Sequence, residues 1–177
     1  MFEIKPWDGD TYRKQTRRST LIIVVVFLAL AMLLSSLAVM LLGTPGGDNF
    51  RFNLGGVIVA VLAMAVLMRQ YFWSQPWMAA AVYGWQLKRS LMKITNVMHQ
   101  VTAGVQAQDP TAMKLLRFYH LGLAQMHQLD ANSSAQGSLA READAHLAKM
   151  QALGLDTEQS RLEPSWIETV KQAYRAG

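Results

Sequence analysis

The sequence predicts an all-α chain: a two-span transmembrane helical hairpin followed by a cytoplasmic helical bundle of about three to four helices. Three observations carry this. A run of 22 residues from Leu21 to Leu42 holds no charge and is interrupted only by Ser35 and Ser36. A second apolar run, from Leu54 to Met68, follows a proline- and glycine-rich break. From residue 77 to 177 apolar positions recur at helical spacing, and no stretch shows the alternation of a strand. Composition agrees, since the 177 residues are 51% hydrophobic and only 16% charged. A soluble chain carries about 25% charged residues, so part of this one is expected to face something other than water.

The first 20 residues form a basic segment holding Lys5, Arg13, Lys14, Arg17 and Arg18. The span 21–42 follows. As a helix it would reach roughly 33 Å, enough for a bilayer core of about 30 Å. A buried helix of a soluble protein would carry a polar face, and this run has none. A cleaved signal peptide would have a shorter apolar region ending in small residues, whereas this run ends Met40-Leu41-Leu42.

Residues 43–53 form the turn between the spans. Thr44-Pro45-Gly46-Gly47-Asp48 stops one helix and permits a sharp reversal. The second span, with its aromatic belt, occupies 54–73. Small residues recur four apart in both spans, Ala31 and Ser35 in one, Gly56 and Ala60 in the other. That spacing favours close helix packing within the hairpin. Arg17 and Arg18 before the first span, and Arg69, Tyr71, Trp73 and Trp77 after the second, are the expected membrane-interface residues. The turn holds only Arg51, offset by Asp48, so the positive flanks place both termini in the cytoplasm.

Residues 77–177 are read as a cytoplasmic helical domain. A helix of about thirty residues is expected from Trp77 to Gln106, with Val82, Trp85, Leu91, Ile94, Val97, Met98, Val101 and Val105 on its apolar stripe. Asp109 is the expected N-cap of the next helix, with Pro110 at its first position and its end near Leu129. That helix is apolar over two adjacent stripes, so it should sit at the centre of the bundle. A third helix is expected from a Ser138 cap to Leu153, with Gly154 as its C-cap. Asp156 is expected to cap a turn. Ser165-Trp166-Ile167-Glu168 fits a capping box for the last helix.

Charge divides along the chain. Residues 69–117 hold six basic and one acidic residue, and residues 118–177 hold five basic and seven acidic. The positive excess of a chain with pI near 9.7 therefore lies beside the spans, which favours a lipid bilayer over nucleic acid as its partner. With no cysteine, thiol nucleophiles and thiolate metal sites are excluded. Of the histidines, His120 and His127 lie two turns apart and cannot share a metal unless His99 or His146 folds alongside one of them. The eleven methionines form no tight cluster with histidine. Phosphate loops, nucleophile elbows and paired intramembrane carboxylates do not occur. Catalytic residues, metal ligands and cofactors are accordingly all expected to be none.

The polar segment Gln125–Ser134 ends the second bundle helix. It reads either as a helix end with a capping turn, or as a partner-docking surface carried by His127, Gln128, Asp130 and Asn132. The expected function is a membrane-anchored interaction module, an adaptor or accessory subunit presenting its helical domain to a protein partner. Two alternatives are a self-assembling structural membrane protein (a homo-oligomer) and an interfacial enzyme using His120, His127 and Asp130.

Three stretches carry a resemblance: Phe2-Glu3-Ile4-Lys5-Pro6-Trp7, Trp85-Gln86-Leu87-Lys88-Arg89-Ser90-Leu91-Met92 and Leu116-Arg117-Phe118-Tyr119-His120-Leu121-Gly122-Leu123. The chain resembles a family of uncharacterised gammaproteobacterial inner-membrane proteins, classed as a domain of unknown function. The likeness covers most of the chain. It implies a bacterial inner-membrane location and supplies no catalytic residues.

Overall fold

A computed structural model describes residues 1–132 and 136–175. Its elements are β1 (Phe2–Glu3), α1 (Gly9–Leu42), α2 (Phe50–Gln70), α3 (Ala79–Thr95), α4 (Met98–Gln106), α5 (Pro110–Leu129), α6 (Gln136–Ala152), β2 (Arg161–Leu162) and α7 (Pro164–Ala173). Two single 3-10 turns, Phe72–Ser74 and Pro76–Met78, lie between α2 and α3. The all-α class holds, apart from one two-stranded antiparallel pair in which Phe2 faces Leu162 and Glu3 faces Arg161. Two residues are too few to show the alternation that marks a strand in sequence. The chain divides into two compact units, residues 1–13 with 83–177, and residues 14–82.

In the unit 14–82, α1 and α2 pack antiparallel. Met64, Phe72 and Met78 form its buried centre, with Ile23, Val26, Phe27, Leu30, Leu67 and Trp77 against them. The small residues allow the close approach. A Cβ on Gly56 would lie 2.4 Å from the Ser35 Cα and 2.6 Å from its amide nitrogen. Ala60 is fully buried one turn on. The Ser35 hydroxyl donates to Asn53 Oδ1 at 2.9 Å, which satisfies two polar groups in an apolar pair.

The reversal is a turn at Thr44–Gly47, closed by the Gly47 amide on the Thr44 carbonyl at 3.0 Å. Proline precedes Gly46, whose φ of 74° suits the type II geometry that proline and glycine favour together. Asn49 clamps the turn, accepting from the Thr44 amide and donating to the Thr44 carbonyl. The helix of the second apolar run takes in Phe50 and Phe52 ahead of Leu54, and residues 43–49 connect the two helices.

The other unit has α5 at its centre, packed by α4, α6 and α7. Ile94, Val97, Val101, Ala112, Leu115, Phe118, Leu162, Ile167 and Val170 are its buried core, and Phe2 and Ile4 pack on it from the N-terminus. Residues 1–20 are thus not a separate basic segment. Their first part belongs to this core, and α1 begins at Gly9, where the Asp8 carboxylate accepts from the Thr11 amide at 2.8 Å. That cap holds the Asp8 carboxyl below its ordinary pKa.

The single helix expected over 77–106 is two helices. The chain turns at Asn96-Val97, with the Val97 amide on the Ile94 carbonyl at 3.0 Å in place of the α-helical partner. Ile94, Val97 and Val101, at positions i, i+3 and i+7, keep one apolar face across the turn and share one core. Trp85, expected on the apolar stripe, is 47% exposed.

Several caps form as their residues dictate. Asp109 Oδ1 accepts from the Thr111 and Ala112 amides at 2.7 and 2.9 Å, with Pro110 opening α5. Gly154 takes a φ of 64° after α6, and the Leu155 amide bonds the Met150 carbonyl at 3.0 Å, closing a Schellman motif. Asp156 accepts from the Glu158 amide at 3.0 Å. Two expectations fail. Helix α6 starts at Gln136, which places Ser138 inside it rather than at its cap. The capping box at Ser165 does not form, because Pro164 takes the first helical position and moves the N-cap to Glu163.

Gln108, the residue after the α4 C-cap Ala107, takes a φ of 57°, which costs a residue with a Cβ. Gln108→Gly should raise stability by about 0.5–1 kcal/mol, the relief of strain less glycine's greater chain entropy. A rise in thermal midpoint checks this, and an unchanged or lower midpoint contradicts it.

Candidate functional site

Four places in the molecule hold the residues that sequence reading singles out or that form a cleft. The first lies in the unit 14–82. Ser19 donates its hydroxyl to the Trp77 carbonyl at 2.6 Å, so the basic end of the apolar part of α1 and the aromatic segment after α2 share one end of the helix pair. Arg17, Arg18, Arg69, Tyr71 and Trp73 are exposed there. Trp77 is half-buried, its ring 5.3 Å from that of Phe72. Between Leu21 and Leu42 no residue is buried, and Leu28, Met32, Leu33, Met40, Ile58 and Leu62 stand open on the pair.

The second is the end of α5. Arg13 donates to the Gln128 and Leu129 carbonyls at 3.3 and 3.1 Å, placing a cation on the negative end of the helix. Lys88 meets Asp130 at 3.2 Å. The Asn132 amide bonds the His127 carbonyl at 2.9 Å. His127, Gln128, Asp130 and Asn132 thus lie together, half-buried to exposed, on a terminus that the N-terminal segment and α3 already hold. Ser133 and Ser134, the rest of the polar segment, lie outside the described residues.

The third is a pair of buried histidines. Helix α6 brings His146 beside His120, with ring centroids 5.5 Å apart. Residue His146 shares a hydrogen bond with the Met113 carbonyl at 2.9 Å, while His120 Nδ1 is buried without a hydrogen-bond partner among the described residues. Burial pushes the His120 imidazole down to about 4, and the neighbouring His146 and Arg117 charges act in the same direction. Burial likewise lowers His146. Among the described residues no three His, Asp or Glu side chains converge as a metal would need. The pair is neutral core packing near pH 7.

A pH prediction follows. The unfolded chain takes up a proton on His120 below about pH 6.5, while the folded chain resists until about pH 4. The stability is complete above pH 6.5 and falls between pH 6.5 and 4, by on the order of 3 kcal/mol if this group acts alone. Thermal unfolding at pH 7 and pH 5 should show the loss in the native chain and a smaller one in His120→Leu. Equal pH dependence in the two would contradict the assignment.

The fourth is a groove of about 600 Å³ bounded by α3, α7 and the N-terminal strand. Trp85, Arg89 and Lys93 stand one turn apart along α3, and Glu168 and Lys171 face the groove from α7. The Arg89 guanidinium lies 4.8 Å from the Trp85 ring centroid. Sequence reading missed this site. The i, i+4 spacing of Trp85, Arg89 and Lys93 is legible, but Trp85 also fits the apolar stripe of its helix, and Lys171 lies 78 residues beyond Lys93 with no local signal linking them.

A family model described as "Protein of unknown function (DUF3087)" matches residues 2–167. No curated protein matches the chain. No solved structure matches it.

Proposed function

The chain belongs to the DUF3087 family of proteins of unknown function, and from that premise we propose that it is a membrane-anchored interaction module. In this reading α1 and α2 span the bacterial inner membrane as a hairpin, and the unit formed by residues 1–13 and 83–177 stands in the cytoplasm for a protein partner. One observation carries it. Segments from before α1 and after α2 fold into one compact unit, while the two long apolar helices between them expose their apolar side chains. A single crossing would place those segments on opposite faces, so an even number of crossings is the arrangement compatible with the fold. The exposed apolar surface then meets lipid, where it costs nothing, rather than water, where each large side chain costs about 1.5–3 kcal/mol.

The charges support the direction. Lys5, Arg13, Lys14, Arg17 and Arg18 precede the apolar stretch, and Arg69, Lys88, Arg89 and Lys93 follow it, against Arg51 alone at the turn side. The basic and aromatic residues gathered at one end of the helix pair form the headgroup belt of this reading.

Photo-crosslinkers placed at exposed positions of the cytoplasmic unit, such as Arg141, and of the hairpin, such as Leu62, test the partner. A reproducible adduct to one other protein from the cytoplasmic unit alone is expected. Adducts to a second copy of this chain, from either unit, would overturn the adaptor reading in favour of self-assembly.

A further inference from the structure

We propose that the groove between α3, α7 and the N-terminal strand binds an anionic amphiphile: a phosphate or carboxylate head group on a short apolar body. The charge on its walls is unbalanced. Arg89, Lys93 and Lys171 face it, with Glu168 the one carboxylate lining it among the described residues. None of the three cations makes an ion pair within 4.0 Å among the described residues; the pairs found are Arg13–Asp10, Lys88–Asp130 and Arg161–Glu3. Three cations held around one depression repel one another, and an anion seated between them relieves that repulsion.

The geometry favours oxyanions. A guanidinium offers two parallel N–H donors to a phosphate or carboxylate, and the ammonium groups add point charges. The Trp85 ring restrains Arg89, which lowers the ordering cost of binding.

The floor is apolar. Met1, Phe2, Trp85 and Pro164 present apolar surface to the groove above the buried Val97, Leu162 and Ile167. A bare anion would leave that surface wet, whereas an apolar body covers it. The volume lies within the range of roughly 300–1,000 Å³ usual for small-molecule sites. Nucleic acid fits less well, since residues 118–177, which supply the α7 wall, carry more acidic than basic side chains. The inference is independent of the partner reading, and either can fail without the other.

The test uses the full chain in an uncharged detergent. Dihexanoyl phosphatidic acid, dihexanoyl phosphatidylcholine and inorganic phosphate are titrated while bound mass is read by native mass spectrometry. A second arm measures co-flotation of the chain's nanodiscs with vesicles of phosphatidylglycerol or of phosphatidylcholine. The phosphatidic acid is expected to bind saturably, about tenfold tighter than either other probe, and the double variant Arg89→Glu, Lys93→Glu to lose about that factor. Both side chains are exposed, and the control Arg141→Glu, also exposed, should bind as the native chain does. If the double variant fails to fold, Lys171→Glu from the opposite wall is expected to show the same loss. Charge-dependent binding of the soluble amphiphile identifies a free ligand. The same dependence with vesicles alone identifies a bilayer headgroup. Binding indifferent to head group, binding unchanged by charge reversal, or equal loss in Arg141→Glu would each overturn the site.

Discussion

Gly56→Leu is expected to force α1 and α2 apart and to destabilise the helix pair by several kcal/mol. The contact leaves no room for a side chain. Even a Cβ would stand 2.4 Å from the Ser35 Cα, 2.6 Å from the Ser35 nitrogen and 2.8 Å from the Leu34 carbonyl carbon. These are backbone atoms of a regular helix, which cannot swing aside as the end of a side chain can. Overpacking in a well-filled interior costs about 1–3 kcal/mol where neighbours relax. Here the whole helix must move, with loss of the Ser35–Asn53 hydrogen bonds at 2.9 and 3.2 Å and of the Ala60 contact. The chain has no cysteine, so paired cysteines report cleanly. Cysteines at positions 35 and 53 should crosslink readily with Gly56 present and poorly with leucine there. Unchanged crosslinking and unchanged thermal stability would show that the helices do not approach at this point.

Removing residues 2–8 is expected to unfold the unit of residues 1–13 and 83–177 while leaving the α1–α2 pair formed. The segment is short but wired throughout. The Phe2 ring lies 5.7 Å from Tyr83 and meets Phe118 edge-on at 6.4 Å. The Ile4 amide bonds the Ser160 carbonyl at 2.8 Å. The Lys5 amide donates to the Tyr83 hydroxyl at 3.1 Å, that hydroxyl donates to Gln125, and the Gln125 side-chain amide donates to the Lys5 carbonyl. The Trp7 ring packs 5.8 Å from Tyr83 and 6.2 Å from Tyr12. Deletion uncovers Phe118, which is wholly buried, and strips Tyr83 and Gln125 of their bonds to Lys5, leaving only the bond between the two. Three half-buried apolar side chains and the two lost hydrogen bonds to Lys5 sum to about 5 kcal/mol, comparable with the whole stability of a small domain. Limited proteolysis should then cut within 83–175 and spare α1 and α2. The milder Phe2→Ala should lower the thermal midpoint without abolishing the transition. A truncated chain as protease-resistant as the native one would contradict the structure.

Local signals made much of the fold legible. Asp109-Pro110 states its cap and first turn in two residues, Gly154 its left-handed cap, and Thr44–Gly47 its reversal, because each is set by chain conformation at the residue itself. The four-residue spacing of Gly56 and Ala60 likewise foretold the close approach. Long-range pairing was not legible. Nothing in Phe2–Glu3 announces a partner at Arg161–Leu162, and nothing local brings His146 to His120 or Lys171 to the groove of Arg89 and Lys93. The break at Asn96-Val97 was hidden because the apolar period continues through it, so the pattern carries no mark of the bend. Asp8 has the chemistry of an N-cap, but the charges after it break the apolar run, so the sequence pattern does not show that they form the first turns of α1.

Both ends of the chain are expected on one side of a membrane that α1 and α2 cross. The variants Asp10→Cys, Asp48→Cys and Arg141→Cys, each at an exposed position, measure it directly with a membrane-impermeant thiol reagent applied to intact cells and to permeabilised ones. Labelling is expected at position 48 in intact cells, and at positions 10 and 141 only after permeabilisation. Labelling of 10 and 141 on opposite sides, or of all three positions only after permeabilisation, would contradict it.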